Sequence, residues 1–203
     1  LVAGFGLKAG LVPLHVWMPL AHSAAPVPAS SVLSGAVVKA GIIGLIRFLP
    51  PGEALPVAGH LLAVAGFVTA FYGVLVGLTQ RHPKAVLAYS SVSQMGVVVA
   101  ALGMGLAAGD GNAGIAAAFY AAHHVLVKGA LFLAVGVAAA GTQGRRGWVL
   151  APALALCLSL GGLPFTGGAV AKFAVKDAFG TDLAAALSAA SAAGTTLLML
   201  HFF

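Results

Sequence analysis

Four lysines, Lys8, Lys39, Lys128 and Lys172, each lie inside a long hydrophobic run of this chain. Near a bilayer centre a charged side chain costs at least about 2.5–3.5 kcal/mol on insertion scales, so a lysine kept there needs a partner or a task. On an α-helix Tyr120, His124 and Lys128 are spaced i, i+4, i+8 and project from one face. Ser90 and Gln94 form a second i, i+4 pair that could hold water, and His15 sits between two helix breakers, Pro13 and Pro19. Histidine and a lysine withdrawn from water are the side chains able to exchange protons near neutral pH. The chemistry this set could do is proton transfer.

Other chemistries find little support. His123 and His124 are adjacent, so their side chains diverge by about 100° on a helix and no Cys or acid accompanies them, which disfavours a metal site. Cys157 is the single cysteine, so no disulfide framework, Cys-based metal site or iron–sulfur ligand set is expected. No nucleophile with a base and an orienting group, and no phosphate-cradling glycine loop followed by Lys-Ser/Thr, is present.

The elements that must position these residues are membrane helices. Of 203 residues 61% are hydrophobic and 7% charged, too few to clothe a water-soluble globule whose charged share is about 25%. Apolar stretches of about twenty residues recur along the chain, enough to cross a hydrocarbon core about 30 Å thick, and they are continuous rather than alternating, against a β-barrel. An all-α integral membrane protein is expected, with about seven crossings near 1–20, 29–49, 57–80, 84–107, 113–140, 149–178 and 182–203. The first and sixth are broken: Pro13 and Pro19 interrupt one, Gly161-Gly162-Leu163-Pro164-Phe165-Thr166-Gly167-Gly168 the other. Such breaks free backbone groups that other protein groups or a hydrated cavity must satisfy, and paired breaks point to an ion path. Gly6-xxx-Gly10 and Gly73-xxx-Gly77 mark close helix packing.

Net charge is +6, but the basic residues divide between loops and membrane segments, so no nucleic-acid partner is expected. If each later segment crosses once, loops 81–84 and 141–148 share a side carrying Arg81, Lys84, Arg145 and Arg146 and no acid. The other side has Arg47 and Lys176 with Glu53, Asp110, Asp177 and Asp182. The positive-inside rule then assigns loops 81–84 and 141–148 to the cytoplasm. Leu1 and Phe203 both stand in apolar runs, giving the expectation of a fragment whose N-terminal helices and C-terminal end are missing. Lys8 and Arg47 lie close enough to segment ends to snorkel, and His60 and His201 read as interfacial or packing residues.

Several stretches together resemble the signature of antiporter-like membrane subunits. They are Lys8-Ala9-Gly10-Leu11-Val12-Pro13-Leu14-His15-Val16-Trp17-Met18-Pro19-Leu20-Ala21-His22, then Ala25-Pro26-Val27-Pro28-Ala29-Ser30, Ser34-Gly35 with Lys39, and Gly44-Leu45-Ile46-Arg47. Lys84 to Gly96, His124 to Leu133, and Leu163 to Gly168 with Lys172 continue the match. That family includes the pumping subunits of complex I, membrane subunits of hydrogenases and formate hydrogenlyase, and large subunits of multisubunit cation/proton antiporters.

The resemblance implies one proton-conducting domain over residues 1–203, holding the last part of one five-helix inverted repeat and all of a second. It implies a relay in which Lys8 belongs to the first broken helix, Lys39 to its neighbour, His124 and Lys128 to the centre and Lys172 to the second broken helix. His15, Tyr120, His123, Ser90 and Gln94 are auxiliary polar residues. No cofactor or redox centre is implied within the chain. The implied partners are other membrane and peripheral subunits of a respiratory or hydrogenase complex, the lipid bilayer, and protons or Na+, in a bacterial-type inner membrane. Many relatives carry an acid after Trp-x-Pro where this chain has Leu20, a lean away from the cation/proton antiporters. The glutamate that pairs with the first lysine in the family would precede Leu1. A sodium/proton antiporter subunit without redox coupling, and a subunit that only holds a complex together, are the competing expectations.

Overall fold

The computed structural model describes residues 1–141 and 146–203, and every regular element among them is helical. In chain order these are α1 (Val2–Ala9), a short 3-10 turn (Leu14–Val16), α2 (Trp17–Ala24), α3 (Val27–Phe48), α4 (Pro56–Leu78), α5 (Pro83–Ala108), α6 (Ala113–Ala139), α7 (Arg146–Gly161), α8 (Gly167–Phe179) and α9 (Leu183–Phe202). Helices α3, α4, α5, α6 and α9 are each long and apolar enough to cross a membrane. The pairs α1/α2 and α7/α8 are the interrupted segments that the proline and glycine pattern predicts. Of the loops expected on the basic side, residues 142–145 and the Arg146 side chain lie outside the described set.

Both interruptions are built the same way. Helix α1 stops at Gly10, in the left-handed region at φ 82°, with Gly10 N–H donating to Leu7 O and Leu11 N–H to Gly6 O. Helix α7 stops at Gly162, φ 93°, with Gly162 N–H donating to Ser159 O and Leu163 N–H to Leu158 O. This pair of reversed bonds satisfies the last carbonyls of a helix and needs a residue that tolerates positive φ, with proline soon after to stop continuation. Here Pro13 and Pro164 play that part. Other groups freed by the first break are met from outside it: Val12 N–H donates to Thr69 Oγ1 of α4 at 3.1 Å, and Trp17 Nε1 donates to Leu7 O at 2.8 Å.

Helix α5 is the hub. Of its most apolar membrane-length window 94% is buried, against 22–50% for the other four long helices, so its Ser90, Ser91, Ser93 and Gln94 are interior groups. It lies antiparallel against α4 at backbone contact, made possible by glycines that face backbone across the seam. A Cβ on Gly59, Gly66 or Gly73 would come within 2.3, 2.4 and 2.6 Å of Ala107 N, Ala100 N and Ser93 N. Glycines at intervals of seven keep facing the same neighbour, and small residues allow such approach in a membrane. Close packing at Gly73 was legible as a motif, whereas the seven-residue register through Gly59 and Gly66 emerges only with the α5 partners in view.

Two loops gather at one end of the bundle: residues near Gly52 and Ala54 approach Gly109 and Gly111, and Leu55 N–H donates to Leu106 O at 2.9 Å. At the α4–α5 turn, the Gln80 carbonyl and the His201 ring are 2.8 Å apart.

Candidate functional site

Lys39 lies on α3 just after a π-helical turn, Leu33–Val37. Inserting a residue into the helical ladder shifts the hydrogen bonds by one position and leaves carbonyls open to side chains. Lys39 Nζ donates to Ser34 O within that turn, and the side chain is 4% exposed. No periodicity in Val32 to Lys39 marks this turn, so sequence reading treats the segment as plain helix.

Lys128, on α6, is 0% exposed. Its ammonium donates to Leu87 O at 2.9 Å and to Ser90 Oγ, both on α5. Leu87 O also accepts from Ser90 Oγ at 2.9 Å and Ser91 Oγ at 3.1 Å. A carbonyl oxygen has two lone pairs, so these donors compete and the hydroxyls have reason to switch partners. Ser91 Oγ lies 2.9 Å from Ser34 Oγ. While Ser91 donates to Leu87 O, Ser34 is the donor of that pair; when Ser91 lets go, the direction can reverse. Ser34, which meets Lys39 through its carbonyl and Ser91 through its hydroxyl, and Leu87 O, which accepts from both Ser91 and Lys128, thus tie the two lysines into one buried network across α3, α5 and α6.

His124 lies one turn before Lys128, fully buried, with neither ring nitrogen hydrogen-bonded. One turn earlier Tyr120 OH donates to Gln94 Oε1, and Gln94 Nε2 donates onward to Thr195 Oγ1 of α9 at 2.7 Å. Thr195 in turn donates to Ser191 O at 2.8 Å. Ser90 and Gln94, expected to act as a pair, serve different partners: Ser90 faces Lys128, Gln94 links Tyr120 to α9.

Lys172, on α8 behind the second break, donates to Gly161 O at 2.6 Å. That carbonyl ends α7, where unpaired carbonyls and the helix dipole favour a cation. A cavity of about 10 Å³, lined by Gln94, Tyr120, Lys172, Ser188, Ser191 and Thr195, separates Lys172 from the Gln94 chain; that is about room for one water. His123 points to the break: its Nε2 lies 3.1 Å from Ser159 Oγ, which also accepts Gly168 N–H at 3.2 Å, tying α7 to α8. The adjacent histidines therefore diverge, as the helix angle requires.

Two expected members stand apart. Lys8 is exposed on α1. His15 is 5% exposed with its ring edge-on to Tyr72 at 4.7 Å, and it makes no hydrogen bond to a lysine. Sequence reading missed Ser34, Ser91, Ser159, Ser191 and Thr195, because one hydroxyl among many in an apolar helix carries no signal until its partner helix is known. Among the described residues no group of three or more His, Cys, Asp or Glu gathers as for a metal. Amines, imidazoles and hydroxyls gathered in one buried region are the side chains equipped to exchange protons.

The family profile described as NADH:quinone oxidoreductase/Mrp antiporter, transmembrane, matches residues 1–199. The chain is 34% identical to hydrogenase-4 component B of Escherichia coli K12, over 84% of this chain and 29% of that protein. It is 36% identical to NAD(P)H-quinone oxidoreductase chain 4 of Synechococcus sp. CC9311, over 93% of this chain and 35% of that protein. Among solved structures, one chain of the Mrp complex from Dietzia sp. DQ12-45-1b superposes with a TM-score of 0.85 at 28% identity, covering 99% of this chain and 40% of that one. The chain thus spans well under half the length of these relatives.

Proposed function

We propose, for a chain that belongs to the NADH:quinone oxidoreductase/Mrp antiporter transmembrane family, that residues 1–203 are the proton-conducting domain of an antiporter-like subunit in a complex I-like oxidoreductase or membrane-bound hydrogenase. The observation that carries this reading is the buried run from Lys39 through Ser34, Ser91 and Leu87 to Lys128. An uncompensated lysine at 0% exposure is expensive in a membrane, and this one lies among groups that can hand a proton on. Lys39, His124 and Lys128 form the central relay. Lys172 is the outlet, reached from Tyr120 and Gln94 across the small cavity beside Ser191. Lys8, His15 and His123 are assigned supporting places at the two breaks.

On this reading the redox chemistry belongs to other membrane and peripheral subunits, which are the chain's partners, and a change of charge at one end of the relay biases protonation at the next. The membrane is a bacterial-type inner membrane, and the turn at 81–84 faces the cytoplasm with the 141–148 connection. The test is Lys39→Ala and Lys128→Ala in the full-length subunit within its complex. Redox-coupled proton pumping is expected to be lost with assembly intact; an unchanged proton-to-electron ratio rejects the reading.

A second reading, a subunit of a multisubunit sodium/proton antiporter, is favoured by the likeness to a chain of the Mrp complex. Leu20, standing where many relatives have an acid, weighs against it. Sodium-dependent proton exchange in vesicles without any electron donor separates the two.

A further inference from the structure

His22 lies in the last turn of α2 and is 0% exposed, and neither Nδ1 nor Nε2 has a hydrogen-bond partner. A buried polar ring with both nitrogens unmet is costly, since each lost partner leaves a desolvated group uncompensated by about 1–3 kcal/mol. Its ring stacks on Phe132 of α6, centroids 4.8 Å apart and planes at 18°. Phe132 is one turn from Lys128, so the stack holds the imidazole beside the Lys128 end of the relay. The cations whose charge reaches the ring are Lys128 from α6, Lys39 from α3 and Lys84 from α5. Lys84 begins α5, at the end of the bundle that also bears Arg81, and its Nζ donates at 2.7 Å to Ala25 O, three residues after His22. The His22 carbonyl is itself fixed by Ser30 Oγ at 3.1 Å, so the backbone under the ring is held while the ring's nitrogens are not.

We propose that His22 is a proton carrier linking the Lys84 end of α5 to the Lys39–Lys128 run, a side branch that feeds the relay from one face of the membrane. The inference rests on the proton-conducting reading above. The neutral ring takes a proton at its free nitrogen from the Lys84 side, by way of water, and becomes imidazolium. The ring then turns and releases that same proton, from the same nitrogen, to a neutral Lys128 amine, which becomes ammonium, and the ring is left neutral as the starting tautomer. Turning back restores the starting state, and no hydrogen bond has to break for the ring to turn in either direction. The competing account is that His22 is only a flat packing residue for Phe132, and this predicts that phenylalanine would serve as well.

The test uses the full-length subunit in its assembled complex, with Lys128→Ala as reference. His22→Phe, which keeps the stack and removes the exchangeable protons, is expected to slow pumping by about a hundredfold, the lower end of what a positioned proton carrier contributes. In His22→Ala, added imidazole is expected to restore pumping, while pyrazole, of the same shape but far less basic, is not. This second variant decides the matter if His22→Phe fails to assemble. Wild-type pumping by His22→Phe, or equal rescue by the two azoles, overturns the proposal while leaving the relay standing if Lys128→Ala still abolishes pumping. Unimpaired pumping by Lys128→Ala defeats the relay itself, whatever His22→Phe does.

Discussion

Ser34 of α3 and Ser91 of α5 are hydrogen-bonded at 2.9 Å in a fully buried position, and this contact makes the surroundings of Lys39 and Lys128 one network. A link made by two hydroxyls should be lost when either is removed. Ser34→Ala and Ser91→Ala are therefore each expected to slow pumping, with the double variant no slower than the more affected single one. Stability should change little, since hydrogen bonds between membrane helices average about 0.6 kcal/mol. Proton translocation through a double-mutant cycle checks this; losses that multiply would mean the two serines act separately.

Gly162 should matter to proton movement although it has nothing to titrate. At φ 93° a side chain is strained, and a Cβ there would sit 2.7 Å from Lys172 Cδ. Gly162→Ala is thus expected to push Lys172 off Gly161 O and reproduce much of the loss seen in Lys172→Ala. The backbone cost, about 1–2 kcal/mol for left-handed geometry, should be small enough for assembly. Comparing pumping and assembled yield of the two variants tests it; normal pumping in Gly162→Ala would show that the Lys172 position is not what counts.

How far the sequence could be read follows from where each signal lies along the chain. The two breaks were legible because glycine and proline act on their own backbone, and the stripe Tyr120, His124, Lys128 because helical spacing is local. The seven-residue glycine register of α4 and the Ser34–Ser91 bond depend on which face meets which neighbour, and that is a property of packing. The π-turn before Lys39 leaves no trace in composition. His22 was visible inside a motif, but its unmet nitrogens exist only once Phe132 and Lys84 are brought around it.

Gln94 is the joint between Tyr120 of α6 and α9. Its oxygen accepts Tyr120 OH and its nitrogen donates to Thr195, so both ends of the amide are used. Gln94→Leu leaves the buried Tyr120 hydroxyl without a partner, at about 1–3 kcal/mol, while Thr195 keeps its bond to Ser191 O, and it interrupts the path to the cavity beside Lys172. It is expected to cut pumping severely. Thr195→Val should be milder, because Gln94 keeps Tyr120. Pumping rates at matched expression order the two, and a reversed order would place the path elsewhere.

The α4–α5 seam should be the most sensitive structural feature. A Cβ on Gly66 meets Ala100 N at 2.4 Å and Gly96 O at 2.7 Å, and one on Gly96 meets Ala70 N at 2.5 Å. These obstacles are backbone, which cannot rotate aside, so Gly66→Ala or Gly96→Ala must separate the helices. Overpacking of this kind costs about 1–3 kcal/mol, and because α5 carries Ser90, Ser91 and Gln94, a shift there also misplaces the groups that meet Lys128. Gly129→Ala is the control: its nearest neighbour would be Ser31 Oγ at 3.5 Å, an ordinary contact. Thermal unfolding of the detergent-solubilised complex should therefore fall for the seam variants and stay near wild type for Gly129→Ala. Because the displaced helix is the hub, pumping should fall further than the stability loss alone accounts for. A seam variant that unfolds earlier yet pumps normally below its transition would show that the relay tolerates movement of α5.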